Sequence, residues 1–312
     1  AMMAPGLAKA QRFDLNRYNP AALPSDGFAV ARPTDLGHLG WAGMLQLNYA
    51  DDPLVLEAAG SEDSELQAVV GNHLVMHGRL ALGLWERLVI YAGVPVHVIM
   101  DGDDFATIGP SGAGIGDLSL GLRGRILGEP DDVLGLGLDG QVYFPTARLD
   151  NDSNFGGESK VNGRIAALAE ARTKWIRVTG NVGARLRSET DVVLTGTLGP
   201  VNVGATGHEL TYGLNVAVHT LQDSNHHLDV QAEVYGATGF SDFFGRQESP
   251  AELLGGLKYW ENRGLHVGTA AGLGLNRGIG SPDFRLVFMA GYQSPREAPK
   301  PEEPPPPPPP KD

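Results

Sequence analysis

HLVMHGRLALGLWERLVIYAGVPVHVIM, residues 73–100, alternates apolar and polar side chains on both sides of a break at Glu86-Arg87. Leu74, Met76, Leu80, Leu82 and Leu84 share one face before the break, and His73, His77 and Arg79 share the other. After it, Leu88, Ile90, Ala92, Val94, Val96 and Val98 lie opposite Tyr91 and His97. Successive strand side chains point to opposite faces, so a period of two predicts two strands joined by a tight turn. A soluble sheet alternates as well, and length separates the cases. Each half runs roughly 10–13 residues, against about 5–6 for an ordinary strand and ~9–11 for a tilted strand crossing a bilayer. The stretch reads as an outer-membrane hairpin.

Composition is compatible with that environment. The 312 residues include 43 glycines, 22 prolines and no cysteine, with a formal charge of −13. Mean hydropathy is −0.14. No apolar run approaches the length of a transmembrane helix, which excludes helical spans, whereas a barrel disperses its apolar residues by alternation. The acidic balance argues against nucleic acid as a partner. Lack of cysteine suits an exported chain that uses no disulfides. The opening AMMAPG carries no secretory leader, so a mature or engineered form is expected.

Moving outward from the hairpin, the pattern recurs. HLGWAGMLQLNYA (38–50) places Trp41, Gly43, Leu45, Leu47 and Tyr49 on one face, and the acidic patch after it reads as a long loop over 51–66. Further strands are predicted at 116–127, 133–144, 160–171, 175–187, 209–221, 228–240, 251–260, 265–276 and 284–292. With five tight joins and six longer ones, the series predicts an all-β, transmembrane, antiparallel up-and-down β-barrel of about twelve strands, with short turns on the periplasmic side. An even count puts both chain ends on that side. Residues 1–37 lack alternation and contain Pro5, Pro20, Pro24 and Pro33, so they read as an irregular arm and a candidate plug. The barrel is assigned to 38–293 and a proline-rich, polyproline II linker to 294–312, whose abrupt end suggests a longer protein.

Trp41, Trp85, Trp175 and Trp260 all neighbour predicted short-turn ends, as expected for aromatics at headgroup depth. Strict parity puts Trp85, Trp175 and Trp260 on the inner face, so either register flips at the turns or these rings floor the lumen. The inner face collects charge of both signs: Arg79, Arg123, Arg125, Arg164, Arg177, Arg185, Lys258 and Arg285 with Asp117, Asp139, Glu170, Glu209, Asp229, Glu233, Glu252 and Asp283. Two readings follow: a water-filled pore lined by charge, or a paired network that fills a narrow lumen. Inward glycines (Gly83, Gly121, Gly135, Gly137, Gly183, Gly268, Gly272 and Gly274) leave space that the arm could fill. The balance favours a closed or poorly conducting barrel.

QRFDLNRYNPAALPSDGFAVARP near the start, YADDPLVL after the first strand and SPDFRLVFMAGY before the linker resemble the barrel region of OmpA-family proteins, over roughly residues 11–312. That resemblance implies calcium-binding repeats and a peptidoglycan-binding domain beyond the linker, here missing. The well-known relative has eight strands, so its details do not transfer. Similar barrels also serve outer-membrane exchange between kin cells.

No site for chemistry stands out. His73, His77, His97, His219, His266 and Ser119 have inner parity, but no hydrolase spacing appears and a lumen histidine is ordinarily a hydrogen-bonding filler. Asp150, Asp152 and Asn154 begin a calcium-loop pattern, yet position twelve is Val161 rather than Glu, and a solvated loop is the plainer reading. No cofactor and no enzyme activity are expected. The expected role is an anchor: lipid and lipopolysaccharide grip the barrel, and the missing domain grips peptidoglycan. The alternatives are a small-solute diffusion channel, and a surface recognition or exchange component acting through loops 51–66, 101–115 and 148–159. A soluble β-sandwich is the rival fold.

Overall fold

An amphipathic strand has an apolar face to cover and two edges to pair, and this chain satisfies both edges by closing on itself. The computed structural model describes residues 14–57, 65–102, 113–129, 132–149, 156–196, 199–245, 248–276 and 278–296. Twelve long strands form the wall: β1 (Trp41–Glu57), β2 (Glu65–Leu84), β3 (Leu88–Asp101), β5 (Leu118–Leu127), β6 (Leu134–Phe144), β7 (Asn162–Arg172), β8 (Ile176–Leu186), β11 (Glu209–Gln222), β12 (His226–Gly239), β13 (Ala251–Glu261), β14 (Leu265–Gly274) and β15 (Phe284–Gln293). Each pairs antiparallel with its neighbours, and β1 pairs with both β2 and β15, which closes the barrel. Closure leaves no strand edge unpaired in lipid. A two-residue strand β4 (Gly114–Ile115) leans on β3, and β9 (Thr190–Gly196) with β10 (Gly199–Thr206) forms a separate hairpin between β8 and β11.

The outer face is apolar and exposed. Leu45, Leu80, Leu122, Ile165, Val182, Leu214, Leu257 and Phe288 all project from the wall. Their sequence neighbours point inward: Arg79, Arg123, Asn181 and Lys258 are buried. Alternation thus holds as predicted, with two local departures. Within 73–100 a bulge between the pairs Leu74↔Ile99 and Val75↔His97 leaves both Val98 and Ile99 exposed. The extra residue flips the following parity, so Met100 is buried instead of facing lipid. At the turn, Trp85 and Glu86 both have positive φ (52° and 56°), and the Arg87 amide donates to the Leu84 carbonyl at 3.2 Å. This type I′ geometry matches the strand twist.

The expected loop over 51–66 is mostly strand. β1 runs on to Glu57 and β2 starts at Glu65, with three register irregularities across that extension. Pairing continues there because β-bulges absorb the proline and the acidic residues that disrupt simple alternation. The join at 188–208, one of the six longer ones between the predicted strands, carries β9 and β10.

All five tight turns lie at one mouth, together with the start of β1 and the end of β15. The six longer connections lie at the other. The arm threads the lumen between them. Asp14 bridges Gly156 in the β6–β7 connection, while the Leu39 amide donates to the Gly83 carbonyl at 2.9 Å beside the tight turn after β2. Both chain ends were expected beside the short turns. Of the described residues, Gln293 is there, but Asp14 stands at the opposite mouth, held by lumen groups along the way.

Candidate functional site in the lumen

The lumen is filled by an arm with its own fold. The Ala21 amide donates to the Phe28 carbonyl at 3.0 Å, and the turn between is set by the Asp26 carboxylate, which accepts from the Leu23 amide at 2.9 Å. Inward glycines make room. A Cβ on Gly83 would meet the Gly37 carbonyl oxygen at 2.1 Å, and one on Gly256 would meet the Phe28 ring at 2.7 Å. Glycine in a strand marks close approach of another chain segment, and here that segment is the arm.

Charge fixes the arm along the short-turn half. Arg123, 1% exposed, bonds the arm's Asp26 at 2.9 Å and the wall's Asp139 at 3.2 Å. Arg125 meets Asp35 at 2.6 Å, and Asp35 also pairs with Arg296 just past β15. Glu170 takes Arg32 bidentately at 2.7 and 2.9 Å. Lys258 gives its three ammonium protons to the carbonyls of Pro24, Asp26 and Gly27 at 3.1, 2.5 and 3.1 Å, and its nitrogen sits 5.0 Å from the centre of the Phe28 ring. Glu233 accepts from the amides of Phe28, Ala29 and Val30 at 2.5, 2.8 and 3.2 Å. Gly27 is required beside it, since a Cβ there would lie 2.2 Å from the Glu233 carboxylate. Burying a charge is costly unless it is paired or hydrogen-bonded, and each of these groups has such partners.

Apolar packing completes the seal. Tyr18 and Phe28 of the arm lie in one buried cluster with Met44, Tyr235, Leu254, Val287 and Met289 of the wall. Ala22, Leu23 and Leu36 join Ala42, Ala81, Val89 and Tyr91 in a second. The inner face therefore carries apolar groups beside the charges of both signs that were expected on it.

Toward the long-loop mouth the arm thins out. Arg17 bonds Glu209 at 2.9 Å and Asn19 accepts from Arg79 at 2.7 Å. Arg285 clamps Glu252 at 2.6 and 3.0 Å and donates to Asn48 at 2.7 Å. In the tight-turn half, by contrast, Arg177 and Asp229 pair within the wall itself at 3.3 Å. Outside the strands, Asp117 accepts from the amides of Glu158 at 2.7 Å and Ala147 at 3.2 Å, and burial pushes its carboxyl up to about 6. Arg187 ties the connections together by bonding Glu158 at 2.9 Å and also Glu209. Between arm and wall in the long-loop half lies a cavity of about 90 Å³, bordered by Arg17, Tyr143, Arg164, Arg185, Thr211 and Tyr235 among others.

Of the predicted inner charges, only Asp283 is placed differently. It stands exposed in the approach to β15, where its amide donates to the Asp51 carbonyl at 2.9 Å. The residue precedes the strand, so strand parity does not apply to it. Asp150, Asp152 and Asn154 lie outside the described residues. His73 and His97 share a hydrogen bond between ring nitrogens 2.8 Å apart, their rings nearly parallel, and the Ser119 hydroxyl donates to the Gly93 carbonyl at 3.2 Å.

Among the tryptophans, Trp41, Trp85 and Trp175 are 51%, 69% and 60% exposed at the tight-turn rim. Trp85 escapes inward parity through its left-handed turn, and Trp175 through the turn that precedes β8. Trp260 keeps inward parity and stacks on His227 at 5.1 Å and on His266 at 6.3 Å, flooring one side of the mouth. The arm partners Arg17, Asp26, Arg32 and Asp35 escape sequence reading, because an irregular segment offers no periodicity from which to assign a direction.

A closed twelve-strand barrel with an apolar exterior and a polar, occupied lumen defines the class: an outer-membrane β-barrel. The structure is similar to that of an outer membrane channel from Pseudomonas putida F1, at 14% identity and a TM-score of 0.57, covering 83% of this chain and 97% of that one. It also matches a NanC porin (10% identity, TM-score 0.45, 83% and 100% covered). A third match is the autotransporter NalP translocator domain from Neisseria meningitidis (12%, 0.47, 83% and 90%). Residues 50–289 match the family described as "Putative MetA-pathway of phenol degradation", and the chain belongs to it. That match covers the greater part of the chain and begins within β1, leaving the arm outside. It replaces the OmpA-family resemblance. Comparison with curated proteins gives no significant match.

Proposed function

We propose that this chain is an outer-membrane diffusion channel for small solutes, with residues 14–36 as its resident plug. One observation carries the reading: a separate segment runs through the lumen from mouth to mouth and is packed among the wall's own side chains. Twelve strands enclose more space than the eight whose lumen side chains just fill. The glycines at 83 and 256 widen that space against the arm. The P. putida F1 protein, called a channel, matches this fold over 97% of its length, which supports the same use of the lumen here. Lipid and lipopolysaccharide are the proposed partners of the apolar exterior.

The test is planar-bilayer recording of the intact barrel and of a variant lacking residues 14–36. Deletion is expected to raise steady ohmic conductance several-fold over the intact protein. A folded deletion variant that conducts no more than the parent would sink the channel reading.

The tether to peptidoglycan is the second reading. It is favoured by the proline-rich composition of 297–312, which follows a strand ending at the tight-turn mouth. Pull-down of the full-length protein by isolated cell wall, unchanged when everything after Gln293 is removed, would eliminate it. No observation specifically favours recognition through 51–66, 101–115 or 148–159.

A further inference from the structure

We propose that the cross-strand pair Arg164 and Arg185, at the long-loop end of the lumen, binds the carboxylate of a small solute. This deepens the channel reading and rests on it by naming the class of solute. The two residues are direct register partners on β7 and β8. Like charges directly opposite on neighbouring strands destabilise a sheet unless something lies between them.

The protein compensates only one of the two. Arg185 donates to the Asn162 side-chain oxygen at 3.2 Å, and its guanidinium carbon lies 5.1 Å from the centre of the Tyr143 ring. Its nearest carboxylates, Asp14 and Glu158, are 4.0 Å away. Arg164 makes no ion pair or hydrogen bond with any described residue, although it shares the inner face and is mostly removed from solvent. The carboxylates bordering the same space are already committed. Glu209 is held by Arg17 at 2.9 Å and by Arg187, and Glu252 by Arg285 and the Tyr235 hydroxyl.

Independent observations point to a ligand. Both arginines border the cavity of about 90 Å³, and so does Thr211, whose buried hydroxyl has no partner among the described residues. The Asn162 side-chain nitrogen beside Arg185 is likewise unpartnered among the described residues. A guanidinium fork offers paired N–H donors suited to a carboxylate's two oxygens, and two arginines side by side supply two such forks. A hydroxyl and an amide nitrogen add two further donors. The Tyr143 and Tyr235 rings supply a wall for a compact apolar body. Partial removal from bulk water strengthens each of these contacts.

Benzoate is the probe, with benzamide as its neutral counterpart and inorganic phosphate as the competing oxyanion. Calorimetric titration into the detergent-solubilised full chain is expected to show saturable benzoate binding. Affinity should weaken at least tenfold in Arg164→Gln and Arg185→Gln, partly recover in Arg164→Lys, and stay unchanged in Arg148→Gln. Arg148 is an exposed arginine of the β6–β7 connection. Heat-modifiable migration on a denaturing gel confirms that each variant keeps its barrel.

Absence of saturable benzoate binding, equal binding by Arg164→Gln, equal binding of benzamide, or preference for phosphate over benzoate would each overturn the carboxylate site. The two readings fail separately. Binding without conductance in the arm-deleted barrel would leave the site and remove the channel. Conductance that benzoate neither blocks nor modulates would do the reverse.

Discussion

The two halves of the lumen use the same residue types to opposite ends. Near the tight turns, every strand charge that meets the arm finds a partner on it: Arg123 with Asp26, Arg125 with Asp35, Glu170 with Arg32, and Lys258 with three carbonyls. Near the long loops, Arg164 and Arg185 stand side by side on neighbouring strands at the edge of a cavity, with one of them unpartnered among the described residues. Charge on an inner face therefore closes the lumen where it is matched and leaves a place for solute where it is not. What separates the two is how much arm lies opposite, and not composition.

The largest way to break that contrast is to remove a matched charge. Arg123→Ala strands Asp26 and Asp139 without their buried partner, with an expected loss of about 3–5 kcal/mol of stability. Urea titration followed by gel migration measures it, and a loss below 1 kcal/mol would mean the arm is not held by charge. The next residue in sequence tests the other face. Leu122→Arg puts a cation in lipid near the middle of β5 and should cost about 2–4 kcal/mol in vesicles, but far less in a soluble sheet.

A smaller effect is expected from pH. Asp117 is held at about 6 when folded, against 3.8 for the free side chain, so the folded protein binds the extra proton between these values. Stability from this group rises as pH falls from 7 toward 4, on the order of 2 kcal/mol after allowance for partial solvation. Thermal unfolding of the parent minus that of Asp117→Asn should show this slope, and a flat difference would dismiss it. Smallest is Lys174→Met. The ammonium lies 5.1 Å from the exposed Trp175 ring centre, and its removal should change stability by less than about 1 kcal/mol.

Much of this was readable without coordinates. The strand count, the single sense of alternation and the tight-turn mouth follow from period and spacing, because one face of a barrel must suit lipid and every strand has to obey. Departures come where the period is locally reset. The Val98–Ile99 bulge buries Met100, and a left-handed turn swings Trp85 outward. Family was less legible. SPDFRLVFMAGY is chiefly β15 and its approach, and an alternating, aromatic-ended closing strand is something any such barrel requires. The motif therefore reported the barrel, whereas the match over 50–289 reports the family.

The sequence by itself determined which side chains of each strand face lipid and which face inward, since a pleated strand has only two faces. It could not determine what those inward charges meet. Asp26 lies 97 residues from Arg123, and Gly27 lies some two hundred residues from Glu233, in an arm without periodicity. Only closure of the barrel around that arm decided which charges are matched and which remain open to solute. Pairing across the lumen is a property of distances that no local pattern encodes.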